Sequence, residues 1–120
     1  MTTKTIETSN GNIVFVDADT PIISDGQSAL DFIMNIGYEH NCHSIAINKS
    51  AIAENFFKLS TGIAGEVAQK IVNYRFRLAI IGDFSGYTSK PLLDYMYECN
   101  KGGHLYFVSD ENEAVKKLGG

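Results

Sequence analysis

The sequence predicts a single α/β domain over residues 1–120. Its sheet is mostly parallel and five-stranded, with an antiparallel hairpin at its N-terminal edge and about four helices. Three observations carry this. Short apolar runs of strand length alternate with stretches of helical period. Asn10-Gly11 lies between two β-prone runs near the start, which marks a hairpin. A chain of 120 residues with 44% apolar and 20% charged residues has the material for one core and little beyond it.

Taken in order, Thr5–Thr8 and Asn12–Val16 flank Asn10-Gly11 as the two hairpin strands, with a type I′ turn expected. Ser24 and Gln27 have capping-box spacing for a first helix. Leu30, Ile33 and Met34 form its expected apolar face, and Gly37 its stop. Ser44–Asn48 is a short buried strand, and residues 49–58 hold a helical turn around Phe56 and Phe57. Ile63, Val67 and Ile71 recur at i, i+4, i+8 and define a second helix. Arg77–Asp83 is the most hydrophobic run and is expected at the sheet centre. Ser89 caps a third helix, with Pro91 in its first turn and Leu92, Met96 and Cys99 on one stripe. Gly102-Gly103 ends it. His104–Val108 is the last strand, and Asp110 with Glu113 caps a closing helix through Ala114, Val115 and Leu118. The order is ββαβαβαβα, which implies right-handed parallel crossovers.

Composition narrows the function. The net charge is −4, and all of it falls in residues 1–60; residues 61–120 are neutral. No basic run or RNA-binding signature occurs, so nucleic acid is not the expected partner. No window reaches the roughly 18 apolar residues of a membrane span, and Met1–Lys4 lacks an apolar leader core, so a cytoplasmic protein is expected. Cys42 and Cys99 are expected as free thiols.

In open α/β sheets, ligands bind beyond the carboxyl ends of the strands. Asp17 and Asp19, Asn48 and Lys49, Asp83 and Ser85, and Ser109 and Asp110 occupy those ends. "IVFVDADT" (Ile13–Thr20) resembles the first motif of haloacid-dehalogenase-type phosphohydrolases. That resemblance implies Asp17 as nucleophile, Asp19 as proton donor and a Mg²⁺ held with Asp83. "GDFS" lacks the second acid of that family's later motif. "HNCH" offers His40, Cys42 and His43, which with Cys99 and His104 would have to converge to hold zinc.

"LSTGIAGEVAQK" (Leu59–Lys70) places two hydroxyls and a glycine before a helix. It lacks the spacing of a P-loop. Thr61, Ala64, Gly65 and Ala68 share one helical face, which suggests close packing on the sheet or on another helix. Two resemblances centre here. From Thr61 to Val108, the "TGIAGE…QK…NYR" and "LAI.GDFS.YTSK…YE.NKG" blocks, with "ISD…ALDF" at residues 23–32, resemble a bacterial domain-of-unknown-function family, number 4180. That family implies no activity. More faintly, "STGIAG" and the strand order resemble STAS domains, the anti-sigma-factor antagonists. This resemblance implies a phosphoacceptor at Thr61 with Ser60 beside it, although Leu59 stands where the STAS loop has aspartate.

The expectation is therefore a STAS-like, non-catalytic interaction or regulatory module that binds another protein and has no cofactor, membrane or nucleic-acid partner. Its oligomeric state is open, a homodimer included. The expected partner loop is Ser60, Thr61, Gly62, Gly65 and Glu66. The expected facing loop holds Asp83, Ser85, Tyr87, Ser89 and Lys90. The alternatives are a Mg²⁺-dependent phosphohydrolase using Asp17, Asp19 and Asp83, or a small-ligand-binding domain at the strand ends.

Overall fold

The computed structural model describes residues 1–119. Its strands are β1 (Thr2–Thr8), β2 (Gly11–Asp17), β3 (Ser44–Asn48), β4 (Arg77–Ile81) and β5 (Leu105–Val108). Its helices are α1 (Gly26–His40), α2 (Ile63–Asn73), α3 (Lys90–Lys101) and α4 (Glu111–Gly119). The element order matches the one expected. The strands lie in chain order across one sheet, β1-β2-β3-β4-β5. β1 runs antiparallel to β2 and the other pairs are parallel. Successive right-handed crossovers between neighbouring strands put their helices on the same face. So α1, α2 and α3 share one face, packing on Val14, Val16, Ile45, Ile47, Leu78, Ile80 and Phe107. The alternate residues Ile13, Phe15, Ala46, Ala79, Tyr106 and Val108 point the other way, where α4 covers them with Ala114 and Leu118. Among the described residues no helix is long and apolar enough to cross a membrane.

β3, not β4, holds the centre of the sheet. β4 is one place off, between β3 and β5, and reads as hydrophobic because both of its faces are covered.

Several local expectations are corrected. The hairpin turn is Ser9-Asn10, and Thr8 pairs with Gly11. Gly11 has the left-handed backbone, with φ at +110°, and Asn10 does not, so the turn is not type I′. The Thr8 hydroxyl fastens it, donating to the Gly11 carbonyl at 2.8 Å. α1 is capped by Asp25 rather than Ser24: its carboxylate accepts from the Ser28 amide at 2.8 Å, and the Ser28 hydroxyl accepts from the Asp25 amide at 3.0 Å. Its buried face is Ala29, Phe32, Ile33 and Ile36, while Met34 is exposed. Gly37 lies inside α1, and Asn41 ends the helix in the left-handed conformation. Residues 49–61 form three short 3-10 turns, Lys49–Ala51, Glu54–Phe57 and Leu59–Thr61, rather than one.

The caps predicted for the later helices are present. Ser89 Oγ accepts from the Leu92 amide, and the Asp110 carboxylate accepts from the Glu113 amide at 2.8 Å. The Asn100 side chain on α3 reaches the outer edge of β5. Its amide group donates to the Phe107 carbonyl at 3.1 Å, and its oxygen accepts from the Phe107 N–H at 2.7 Å. One primary amide thus stands in for a further strand at that edge.

Candidate functional site

With the strands in chain order, the sheet has no point where the connections diverge to opposite faces, which is where such sheets usually open a crevice. A site must instead be built by the connections themselves. The connection from β3 to α2 and that from β4 to α3 do this at the carboxyl end of the sheet. Together they form a groove of about 730 Å³. Lys58, Leu59, Ser60 and Thr61 line one wall, Tyr87, Ser89 and Pro91 the other, with Phe57 between and Glu54 and Asn55 alongside.

Aromatic packing holds the walls in place. Phe56 is fully buried and anchors the Glu54–Phe57 turn, and Phe57 packs edge-on against it at 4.9 Å. Tyr87 stacks on Phe57 at 5.1 Å between centroids, and Phe84 meets Phe107 edge-on at 5.6 Å. The Tyr87 hydroxyl then crosses between the two connections and donates to the Glu54 carboxylate at 2.9 Å. The Lys49 ammonium lies 5.0 Å from the Tyr87 ring centroid and 5.4 Å from that of Phe57. The Tyr87 hydroxyl chiefly, then the Glu54 and Asp83 charges, raise the Lys49 ammonium above the ordinary lysine value. Burial pushes the Tyr87 phenol up as well.

The Leu59–Thr61 turn is fastened by one side chain. Thr61 Oγ1 lies 2.9 Å from the Asn55 carbonyl and 2.8 Å from that of Lys58, and its single hydrogen is shared between them. The same oxygen accepts from the Ile63 amide at 3.3 Å, so Thr61 also supports the start of α2. Gly62 follows with φ at +78°, a conformation that favours glycine. Thr61 therefore stands where expected, exposed and just before the helix.

The structure unites part of the predicted set. Ser60 and Thr61 face Tyr87 and Ser89 across one groove. Asp83 and Ser85 stay outside it: Asp83 accepts from the Ser85 amide at 2.9 Å, and the Ser85 hydroxyl first, then this amide, with Lys49 secondary, hold the carboxyl below the usual range. Lys90 turns along its own helix to Asp94 at 3.0 Å. Glu66 points to the start of α1, 3.4 Å from the Gly26 amide. Gly65 is exposed, and a Cβ there would touch nothing within 4 Å, so it makes no close helix contact. Glu54, Phe57 and Leu59 were not foreseen. The paired Phe56-Phe57 is the available signal: both rings are buried in one core, and Phe57 also lines the groove.

The metal alternatives are not assembled. Asp17 lines a cleft of about 370 Å³ with Lys4 and Glu111, Asp19 lies along α1 near Phe32 and Tyr38, and Asp83 follows β4. Cys42 is buried with its thiol toward the Ile36 carbonyl, while His43 rests on Phe76 at 5.2 Å and His40 faces Glu39. Among the described residues, no three His, Cys, Asp or Glu side chains converge as metal ligands. Cys42 and Cys99 are free thiols.

Among curated proteins none matches the chain. A crystal structure of a candidate anti-sigma factor antagonist from Thermotoga maritima is similar at 11% identity and a TM-score of 0.47, covering 97% of this chain and 93% of that one. The model of the family described as a domain of unknown function (DUF4180) matches residues 8–118, and the chain belongs to that family.

Proposed function

We propose that the domain is a non-catalytic regulatory module that binds another protein through the groove between the Leu59–Thr61 turn and the Tyr87–Pro91 segment, and that phosphorylation at Ser60 or Thr61 controls it. The observation behind this reading is that two loops distant in sequence meet as walls of one groove, with an apolar floor and a rim of exposed hydroxyls. An apolar centre with a polar rim is the anatomy of a protein-binding patch.

The two hydroxyls differ in what a phosphate would do. On Thr61 it replaces the hydrogen shared by the Asn55 and Lys58 carbonyls and sets about two negative charges beside them, so the turn opens. Ser60 makes no side-chain hydrogen bond among the described residues, so a phosphate there changes only the charge of the wall. The test uses wild type, Thr61→Ser, Thr61→Glu and Leu59→Glu as baits in native lysate, with intact-mass analysis of the native protein. The expected result is a partner retained by wild type and Thr61→Ser and lost by both glutamate variants, which keep the wild-type circular dichroism. A set of captured proteins unchanged by either glutamate overturns the reading.

A further inference from the structure

The two edges of the sheet are treated differently. At β5 the Asn100 amide occupies both the N–H and the C=O of Phe107. At β1 nothing comparable is present among the described residues. β1 is seven residues long, pairs one-to-one with β2 without a bulge, and contains no proline. Folded proteins usually blunt such an edge with a projecting lysine, a bulge or a cover. Lys4 does not project past this edge: its ammonium is drawn onto its own sheet, 2.8 Å from Glu111 and 5.3 Å above the Phe15 ring.

The hairpin fixes which groups are free. Thr8 and Gly11 close a two-residue loop, which makes them a hydrogen-bonded pair. By alternation, Thr2, Lys4, Ile6 and Thr8 direct their N–H and C=O groups to β2, and Thr3, Thr5 and Glu7 direct theirs outward. A row of three outward peptide units is thus left open on a strand rich in β-branched residues.

We propose that this edge pairs with β1 of a second copy of the chain, antiparallel and about a twofold axis through Thr5, joining two sheets into one. The commitment to a second copy comes from self-complementarity. The axis must stand perpendicular to the sheet, so only residues of like parity can lie opposite one another. Of the registers this allows, pairing about Lys4 or Glu7 sets like charges directly opposite. Pairing about Ile6 leaves the start of the strand unmatched. Pairing about Thr5 engages all seven residues. It sets Lys4 against the second copy's Ile6 and Thr3 against its Glu7, and no like charges meet directly.

Analytical ultracentrifugation across a concentration series tests this, with Thr5→Pro as the key variant. Thr5 has its N–H outward, so proline removes a bond to the second copy and none to β2. The expected result is a reversible wild-type dimer and a dissociation constant raised about tenfold or more by Thr5→Pro, with the circular dichroism unchanged. Because proline also restrains the strand itself, Thr5→Cys supplies a second readout. It should give an intermolecular disulfide under mild oxidation, whereas Thr3→Cys, which faces Glu7 of the other copy, should not. A protein monomeric at every concentration overturns the proposal, as does a dimer indifferent to Thr5→Pro or a cross-link that forms equally from Thr3→Cys.

Discussion

Lys49 and Gly82 lie so close that a Cβ on Gly82 would stand 2.6 Å from the Cβ of Lys49. The absent side chain after β4 lets the lysine stem after β3 pass over it and carry the ammonium to the Tyr87 and Phe57 rings. The two connections that form the groove are registered at this point. Gly82→Ala is therefore expected to lower stability by roughly 1–3 kcal/mol, an overpacking cost, and to displace Tyr87 from Phe57. Denaturant melts and the aromatic chemical shifts of both rings measure it. Lys49→Ala should not restore the loss, since it keeps the colliding Cβ, but Lys49→Gly should.

Two other glycines separate structural need from permissiveness. A Cβ on Gly37 would lie 2.5 Å from the Phe76 ring, whereas one on Gly65 would meet open space. Gly37→Ala is expected to cost roughly 2–4 kcal/mol, because a buried ring must move. Gly65→Ala, at an exposed helical site, is expected to stabilise by roughly 0.5–1 kcal/mol. Thermal melts of the two variants should shift in opposite directions.

That pair also marks where sequence reading stops. The strands, the alternation and the caps at Ser89 and Asp110 follow from local chemistry, so they were legible. The role of Gly37 is set by Phe76, thirty-nine residues away, and no local rule distinguishes a helix stop from a contact site. The same holds for the groove. The hydroxyl-glycine signal at Ser60 to Gly62 located one wall, and Tyr87 and Ser89 located the other. Glu54 entered only through a hydrogen bond to Tyr87 across thirty-three positions. Asp83 and Ser85 looked functional because strand-end acids often are, yet they satisfy each other locally.

The pH dependence has a defined sign in the alkaline range. Burial, then the neighbouring Cys99, raises the Tyr95 phenol far above its ordinary value of about 10. In the unfolded chain it ionises near that ordinary value. A folded pKa above the unfolded one means that this contribution to stability is fully present below pH ~10 and is lost as pH rises beyond it. Phenolate absorbance should show Tyr95 ionising as a last phase well above pH ~10, in step with alkaline unfolding. Tyr95→Phe should remove that last phase and flatten the alkaline fall in stability. A Tyr95 that ionises at about pH 10 in the folded protein would contradict the buried placement.

Arg77 joins the sheet to the end of the chain. From the start of β4 its guanidinium donates to the Leu118 carbonyl at 2.7 Å, to the Lys117 carbonyl, and to the Gly103 carbonyl at 3.2 Å, and it meets the Tyr106 hydroxyl at 3.0 Å. The last carbonyls of a helix lack partners within the helix and carry its negative end, so a cation there satisfies both needs. Arg77→Met keeps the stem packed on Tyr106 but strands those carbonyls. The expected loss is about 1–3 kcal/mol, concentrated in α4. Hydrogen exchange should show α4 amides opening faster while β3 and β4 keep their protection. Arg77→Lys should recover little, because one ammonium cannot match a planar fork that reaches several carbonyls. If α4 protection is unchanged in Arg77→Met, the Ala114 and Leu118 packing and the remaining polar contacts hold the helix and the clamp is dispensable.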